Sequence, residues 1–194
     1  VHDFIERIAR LVAYIGGVVL TLLVLLTCVS VLGRGLNTFG HSGLVTDFSE
    51  ILSNAIISTG VGPVTGDFEL VEAGIAFAIF AFLPICQLKG GHATVDVFAS
   101  FMSDGFNKFL RTFWEVLLTA VIILITWRLY EGMVSKMEYG ETTFLLQFPV
   151  WWAYAASFVA AVVASLVGVY CAAARMIELF TGRHVLPTGE GAVH

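Results

Sequence analysis

Residues 11–33 read LVAYIGGVVLTLLVLLTCVSVLG, a run from Leu11 to Gly33 without one charged side chain. An α-helix rises about 1.5 Å per residue, so roughly 20 residues cross the ~30 Å hydrocarbon core of a bilayer, and this run suffices by itself. It is longer than the apolar region of a secretion signal and has no A-x-A cleavage pattern, so it reads as a retained span. Uncharged windows recur at Ala73–Leu88, Val116–Trp127 and Thr142–Ala174. The two middle windows are short and must take in flanking residues, which gives spans at about 11–33, 70–88, 113–134 and 150–174 in a single membrane domain over 1–194. Glu72, Glu115, Arg128 and Glu131 then fall near span ends, where long side chains reach the headgroups.

Composition agrees with this reading. Of 194 residues 58% are hydrophobic and only 13% charged, and the mean hydropathy is +0.88, so the chain cannot cover a water-facing surface. Much of the net charge of -5 comes from the stretch between Arg34 and Glu72, and no basic patch points to nucleic acid. Cys28, Cys86 and Cys171 all lie in apolar stretches, with neither a disulfide framework nor metal-ligand spacing.

Four spans put the N-terminus, the connection between spans two and three, and the C-terminus on one side. That side holds Arg7, Arg10, Lys89, Lys108, Arg111, Arg175 and Arg183, against Arg34, Arg128 and Lys136 on the other. The positive-inside rule makes the first side cytoplasmic. Trp114, Trp127, Trp151 and Trp152 stand near span ends, as a belt of interfacial aromatics does. Between Leu44 and Thr59, the residues Leu44, Phe48, Ile51, Leu52, Ala55 and Ile56 recur at helical spacing opposite a polar face, which predicts an outer amphipathic helix at 44–59. Phe98, Phe101, Met102, Phe106, Phe109 and Phe113 beside Lys108 and Arg111 suit an interfacial segment on the cytoplasmic side. The expected fold class is therefore an all-α integral membrane protein with four transmembrane helices, this outer amphipathic helix and this interfacial segment.

All five histidines, His2, His41, His92, His184 and His194, lie outside the spans, which excludes bis-histidine haem ligation within the bilayer, and no other cofactor is expected. Arg34 at the outer end of span one is placed to pair with Glu72 at the outer end of span two; a structural ion pair is favoured there over a substrate contact. Arg128 and Glu131, three residues apart, form a local pair. No charge sits mid-span as ion coupling requires, and there is no internal repeat or pair of broken helices of the kind that builds a midplane substrate site. Pro84 reads as a kink in span two. Ala153, Ala156, Ser157, Ala160, Ala161, Ala164, Ser165 and Gly168 give span four a face of small residues for close helix approach, either within the four-helix unit or against a separate partner.

The stretch Phe68-Glu69-Leu70-Val71-Glu72, together with Gln87-Leu88-Lys89-Gly90-Gly91-His92-Ala93-Thr94-Val95-Asp96 after span two, resembles the small membrane subunit of tripartite ATP-independent periplasmic (TRAP) transporters. Phe148-Pro149-Val150-Trp151-Trp152-Ala153-Tyr154 is similar to that family's Pro-x-Trp-x-x-Tyr pattern, and the likeness covers about residues 5–180. The segment from Gly35 to Gly66 is longer than is usual in the family, and a second proline common in span four is missing. The resemblance implies a subunit of the bacterial inner membrane that supports a large, sodium-coupled membrane subunit, while a periplasmic solute-binding protein captures an organic acid or related anion. Gly91, His92 and Asp96 are expected to shape the turn after span two, as assembly residues. Asp67, Glu69 and Glu72, with Arg34, form an outer patch for an ion pair or for receptor contact. No catalytic, substrate-binding or metal residue is expected. The alternative from another class is a four-helix membrane enzyme of the small glutathione-dependent type, but its polar and arginine groups converge between helices, whereas here they are dispersed at helix ends.

Overall fold

The structure, a computed structural model, describes residues 2–41, 62–90 and 104–181. Four helices fill these segments: α1 His2–Gly40, α2 Asp67–Leu88, α3 Asp104–Tyr139 and α4 Trp151–Thr181. Each is long and apolar enough to cross a membrane. The expected amphipathic helix at 44–59 and the aromatic stretch Phe98–Met102 lie outside the described residues, while Phe106, Phe109 and Phe113 belong to the first turns of α3.

Three helices overrun their predicted spans. At 1.5 Å per residue the 39 residues of α1 extend about 58 Å, well beyond a bilayer core, whereas the 22 residues of α2 extend about 33 Å and just match it. Polar residues in the overhangs stay helical because they pair within the helix. Arg10 donates to Glu6 at 2.5 Å and Arg175 to Glu178 at 2.9 Å, while Arg128 makes the same kind of pair with Glu131 at 2.8 Å inside the predicted third span.

Consecutive helices are antiparallel and pack mainly in the order α1–α2–α4–α3. The α1–α2 seam follows a seven-residue step in both helices. Ala9 and Leu88 share one buried cluster, Gly16 lies on Ala81, Leu23 lies on Gly74, and Ser30 bonds Asp67. Such a step keeps one stripe facing its partner along the length of the seam. The rest of α1 turns outward, with Leu11, Val18, Leu22, Leu25, Val29 and Leu32 all exposed as befits a lipid-facing surface.

The α3–α4 seam keeps the seven-residue step on α4, and steps of seven and six on α3, with different chemistry. Thr119 lies over Gly168, the Thr126 hydroxyl reaches the Ala161 carbonyl at 3.3 Å, and Tyr154 packs where Gly132 has no side chain. Helix α4 is the centre of the molecule: Ser157, Ala160, Ala161, Ala164, Val167, Gly168 and Cys171 are buried against its neighbours. Small side chains let helix backbones approach closely where lipid offers no hydrophobic drive for association. Pro84 lies inside α2, fully buried, and the helix runs on to Leu88.

Candidate functional site

At the end where α2 begins, Gly66 adopts φ 78°, a left-handed turn that glycine enters without steric cost, and it sets Asp67 as the first residue of the helix, facing α1. Asp67 is buried, and its Oδ2 accepts the Ser30 hydroxyl at 2.5 Å and the Arg34 guanidinium at 2.6 Å. Its Oδ1 accepts the Phe68 amide at 2.9 Å. Arg34 also donates to Ser30 Oγ at 3.3 Å and lies 5.0 Å from the centre of the Phe68 ring, a cation–π distance. The same Ser30 oxygen takes the Val64 amide at 3.3 Å, so the chain leading into α2 is tied to α1 as well.

This cluster borders a lateral recess of about 410 Å³ lined by Thr27, Val31, Arg34, Asp67, Phe68 and Val71. Arg34 is the cation in its wall, and it is already taken by Asp67 and Phe68. The rest of the wall is mostly apolar. The arrangement fastens two helices through Arg34 Nη2, while Arg34 Nε is buried without a hydrogen-bond partner among the described residues.

Glu69, in the first turn of α2, does something different. Its two carboxylate oxygens accept the backbone amides of Leu145 and Leu146 at 2.6 and 2.9 Å. Those amides belong to the connection between α3 and α4, a small hairpin closed by a bridge between Thr142 and Pro149, by Thr143 N to Phe148 O at 2.9 Å and by Val150 N to Glu141 O at 3.0 Å. Gln147 turns at φ 56° within it, and Lys136 holds Glu141 at its base at 2.6 Å. The Leu146 side chain fills the space over Gly66.

At the opposite end a second set of polar groups is buried. Gln87 of α2 is 2% exposed, and its Nε2 and Oε1 lie 3.0 and 3.1 Å from the point where a Cβ on Gly168 would stand; Thr119 Oγ1 lies 3.2 Å from the same point. Gly168 thus makes room for two polar side chains from two helices. Both Gln87 amide atoms, Thr119 Oγ1 and Glu115 Oε1 are buried without a hydrogen-bond partner among the described residues. Cys171 and Ala174, with Ala9 and Leu88 across from them, form the apolar cluster of this end. No group of three or more His, Cys, Asp or Glu side chains among the described residues is placed to hold a metal ion.

A family model described as "Tripartite ATP-independent periplasmic transporters, DctQ component" matches residues 23–181, which takes in the second half of α1 and all of α2, α3 and α4. The chain belongs to the DctQ family. No curated protein and no solved structure matches it. DctQ is a component of a transporter rather than a family of enzymes, and its membership accords with the four membrane-length helices.

Within this DctQ chain the residues singled out from the sequence separate. Arg34 and Asp67 come together, but the expected Arg34–Glu72 pair does not form: Glu72 is five residues past Asp67, about 140° further round α2, and is exposed. Glu69 holds the hairpin instead of joining the pair. Gly91, His92 and Asp96 lie outside the described residues; the left-handed residue at the end of α2 is Gly90, at φ 59°, whose amide reaches Gln87 O at 3.1 Å. Of the α4 candidates, Ser157, Ala160, Ala164 and Gly168 are buried, Ala153 is half-buried and Ala156 is exposed. The sequence reading passed over Ser30, Gln87 and Thr119 as site residues. A lone amide closing an otherwise apolar run, as Gln87 does after Ala73–Cys86, is the signal that points to it.

Proposed function

We propose that this DctQ-family chain is the fixed, supporting subunit of a sodium-coupled tripartite importer in the bacterial inner membrane. In this reading a periplasmic solute-binding protein captures an organic acid or related anion, a large membrane subunit moves it, and this chain enlarges the stationary part against which the large subunit works. Its N- and C-termini are cytoplasmic. Arg34, Asp67 and Glu69 lie on the periplasmic side, where they shape the surface offered to the receptor. Gly91, His92 and Asp96 shape the cytoplasmic turn for assembly, and the small face of α4 serves packing.

The observation that supports this reading most is how the interior is filled. Ala160, Ala161, Ala164, Val167 and Gly168 close the centre by direct helix contact, and the described ion pairs stand toward the helix ends. A subunit built this way has rigidity to contribute and no ionisable group at mid-span to couple solute to an ion gradient.

Two measurements test it. Liposomes containing the purified chain alone, under an inward sodium gradient with organic anions outside, should take up nothing above empty liposomes, and uptake should appear on adding the large subunit with its binding protein. Uptake by the chain alone overturns the proposal. In intact cells, a membrane-impermeant thiol reagent should label Glu138→Cys and spare Lys108→Cys, two exposed positions at opposite ends of α3. The reverse pattern inverts the orientation.

A further inference from the structure

The hairpin between α3 and α4 carries the most exposed large apolar side chain among the described residues, Phe144 at 87%, and its chain neighbour Leu145 is 51% exposed. Such a tip would ordinarily stand in water at the end of two helices. Its position says otherwise. Helix α2 is about as long as the hydrocarbon core is thick, so its first turn marks the headgroup level at that end of the molecule. Glu69 sits in that first turn and holds the amides of Leu145 and Leu146 at 2.6 and 2.9 Å. The tip is therefore folded back from the top of α3 to the depth at which α2 enters the membrane.

The surroundings fit the same depth. Trp152 in the first turn of α4 and Phe68 in the first turn of α2 are both exposed at this end. Tryptophan, with its amphipathic indole, collects at headgroup level. The amides of Thr143, Leu145, Leu146 and Val150 are all bonded, to Phe148 O, to Glu69 and to Glu141 O. That removes much of the cost of bringing irregular backbone toward lipid.

We infer that Phe144 and Leu145 form an anchor inserted in the lipid leaflet at the α3–α4 end, with Glu69 as the clamp that sets its depth. The occupant of this surface is phospholipid at the junction of headgroup and acyl chain, not a protein. The inference is independent of which face of the membrane is periplasmic and of how the complex transports.

A nitroxide label at Phe144→Cys, with Cys28, Cys86 and Cys171 replaced by alanine, is placed in the assembled complex in phospholipid nanodiscs, and its collisions with oxygen and with a water-soluble nickel chelate are compared. An oxygen-to-nickel ratio several-fold above that of a label at Glu138→Cys is the expected result, and Glu69→Gln should lower the ratio by loosening the clamp. A ratio equal to that at Glu138 means a tip in water, open to a soluble receptor, and overturns the inference. Low accessibility to both agents means a tip buried in the large subunit and overturns it equally. With the native cysteines retained, a benzophenone side chain at position 144 should photocross-link to phospholipid; a protein adduct, or none, counts against the anchor.

Discussion

Along α1 and α2 the polar lock sits at one end, in the Ser30–Arg34–Asp67 cluster, and the layers beneath it are only Leu23 on Gly74, Gly16 on Ala81 and Ala9 with Leu88. Along α3 and α4 the polar contacts lie within the seam. Thr126 Oγ1 meets Ser165 Oγ at 2.9 Å, and Ser165 also bonds the Ala161 carbonyl at 2.9 Å. Both seams return about every two turns, yet the first is held by shape along its length and by charge at its tip, while the second is held by hydroxyls inside the bilayer. The difference follows from position. A charged pair is tolerable at headgroup level, where Arg34 remains 41% exposed; deeper in the bilayer only neutral donors are affordable.

The sharpest way to break the first seam is steric. A Cβ on Gly16 would stand 2.8 Å from Ala81 Cβ, whereas one on Gly17 would meet nothing within 4 Å. Gly16→Leu should therefore lower the stability of the complex by about 1–3 kcal/mol or abolish its assembly, and Gly17→Leu should change it by less than about 0.5 kcal/mol. Thermal unfolding followed in nanodiscs reads both. Equal losses would mean that the seam does not run along Ala9, Gly16, Leu23 and Ser30.

A smaller effect separates the second seam from the first. A double-mutant cycle with Thr126→Val and Ser165→Ala should give a coupling of roughly 0.6 kcal/mol, the usual worth of an interhelical hydrogen bond within a bilayer. The cycle is measured by the same unfolding. A coupling indistinguishable from zero would leave α3 and α4 joined by packing alone, and the contrast between the seams would vanish.

The four spans were legible because charge is excluded from lipid, so Leu11–Gly33 and its counterparts stand out in the sequence. The face each helix turns inward was legible only for α4, where Ala, Ser and Gly contrast with bulky neighbours. In α1 nearly every residue is apolar, and the seam consists of Ala9, Gly16, Leu23 and Ser30, which no hydrophobic periodicity distinguishes from Leu22 or Val24. The Arg34 pair was half legible. Sequence put an acid at the start of α2, but the choice of Asp67 over Glu72 depends on the turn at Gly66, which fixes where the helix starts and hence which carboxylate faces α1. The role of Glu69 depends on a hairpin 76 residues further along the chain, a distance over which local patterning carries no information.

One consequence concerns motion. Helix α1 is fastened near both ends, at His2, whose Nδ1 lies 3.2 Å from the Tyr170 hydroxyl, and at Arg34, bound to Asp67. Those points are separated by about 48 Å of helix. A piston stroke of even one turn, about 5.4 Å, would break both fastenings and set Leu23 against Gly74's bulkier neighbours in place of the glycine. Axial sliding against α2 and α4 is the movement this helix is least able to make.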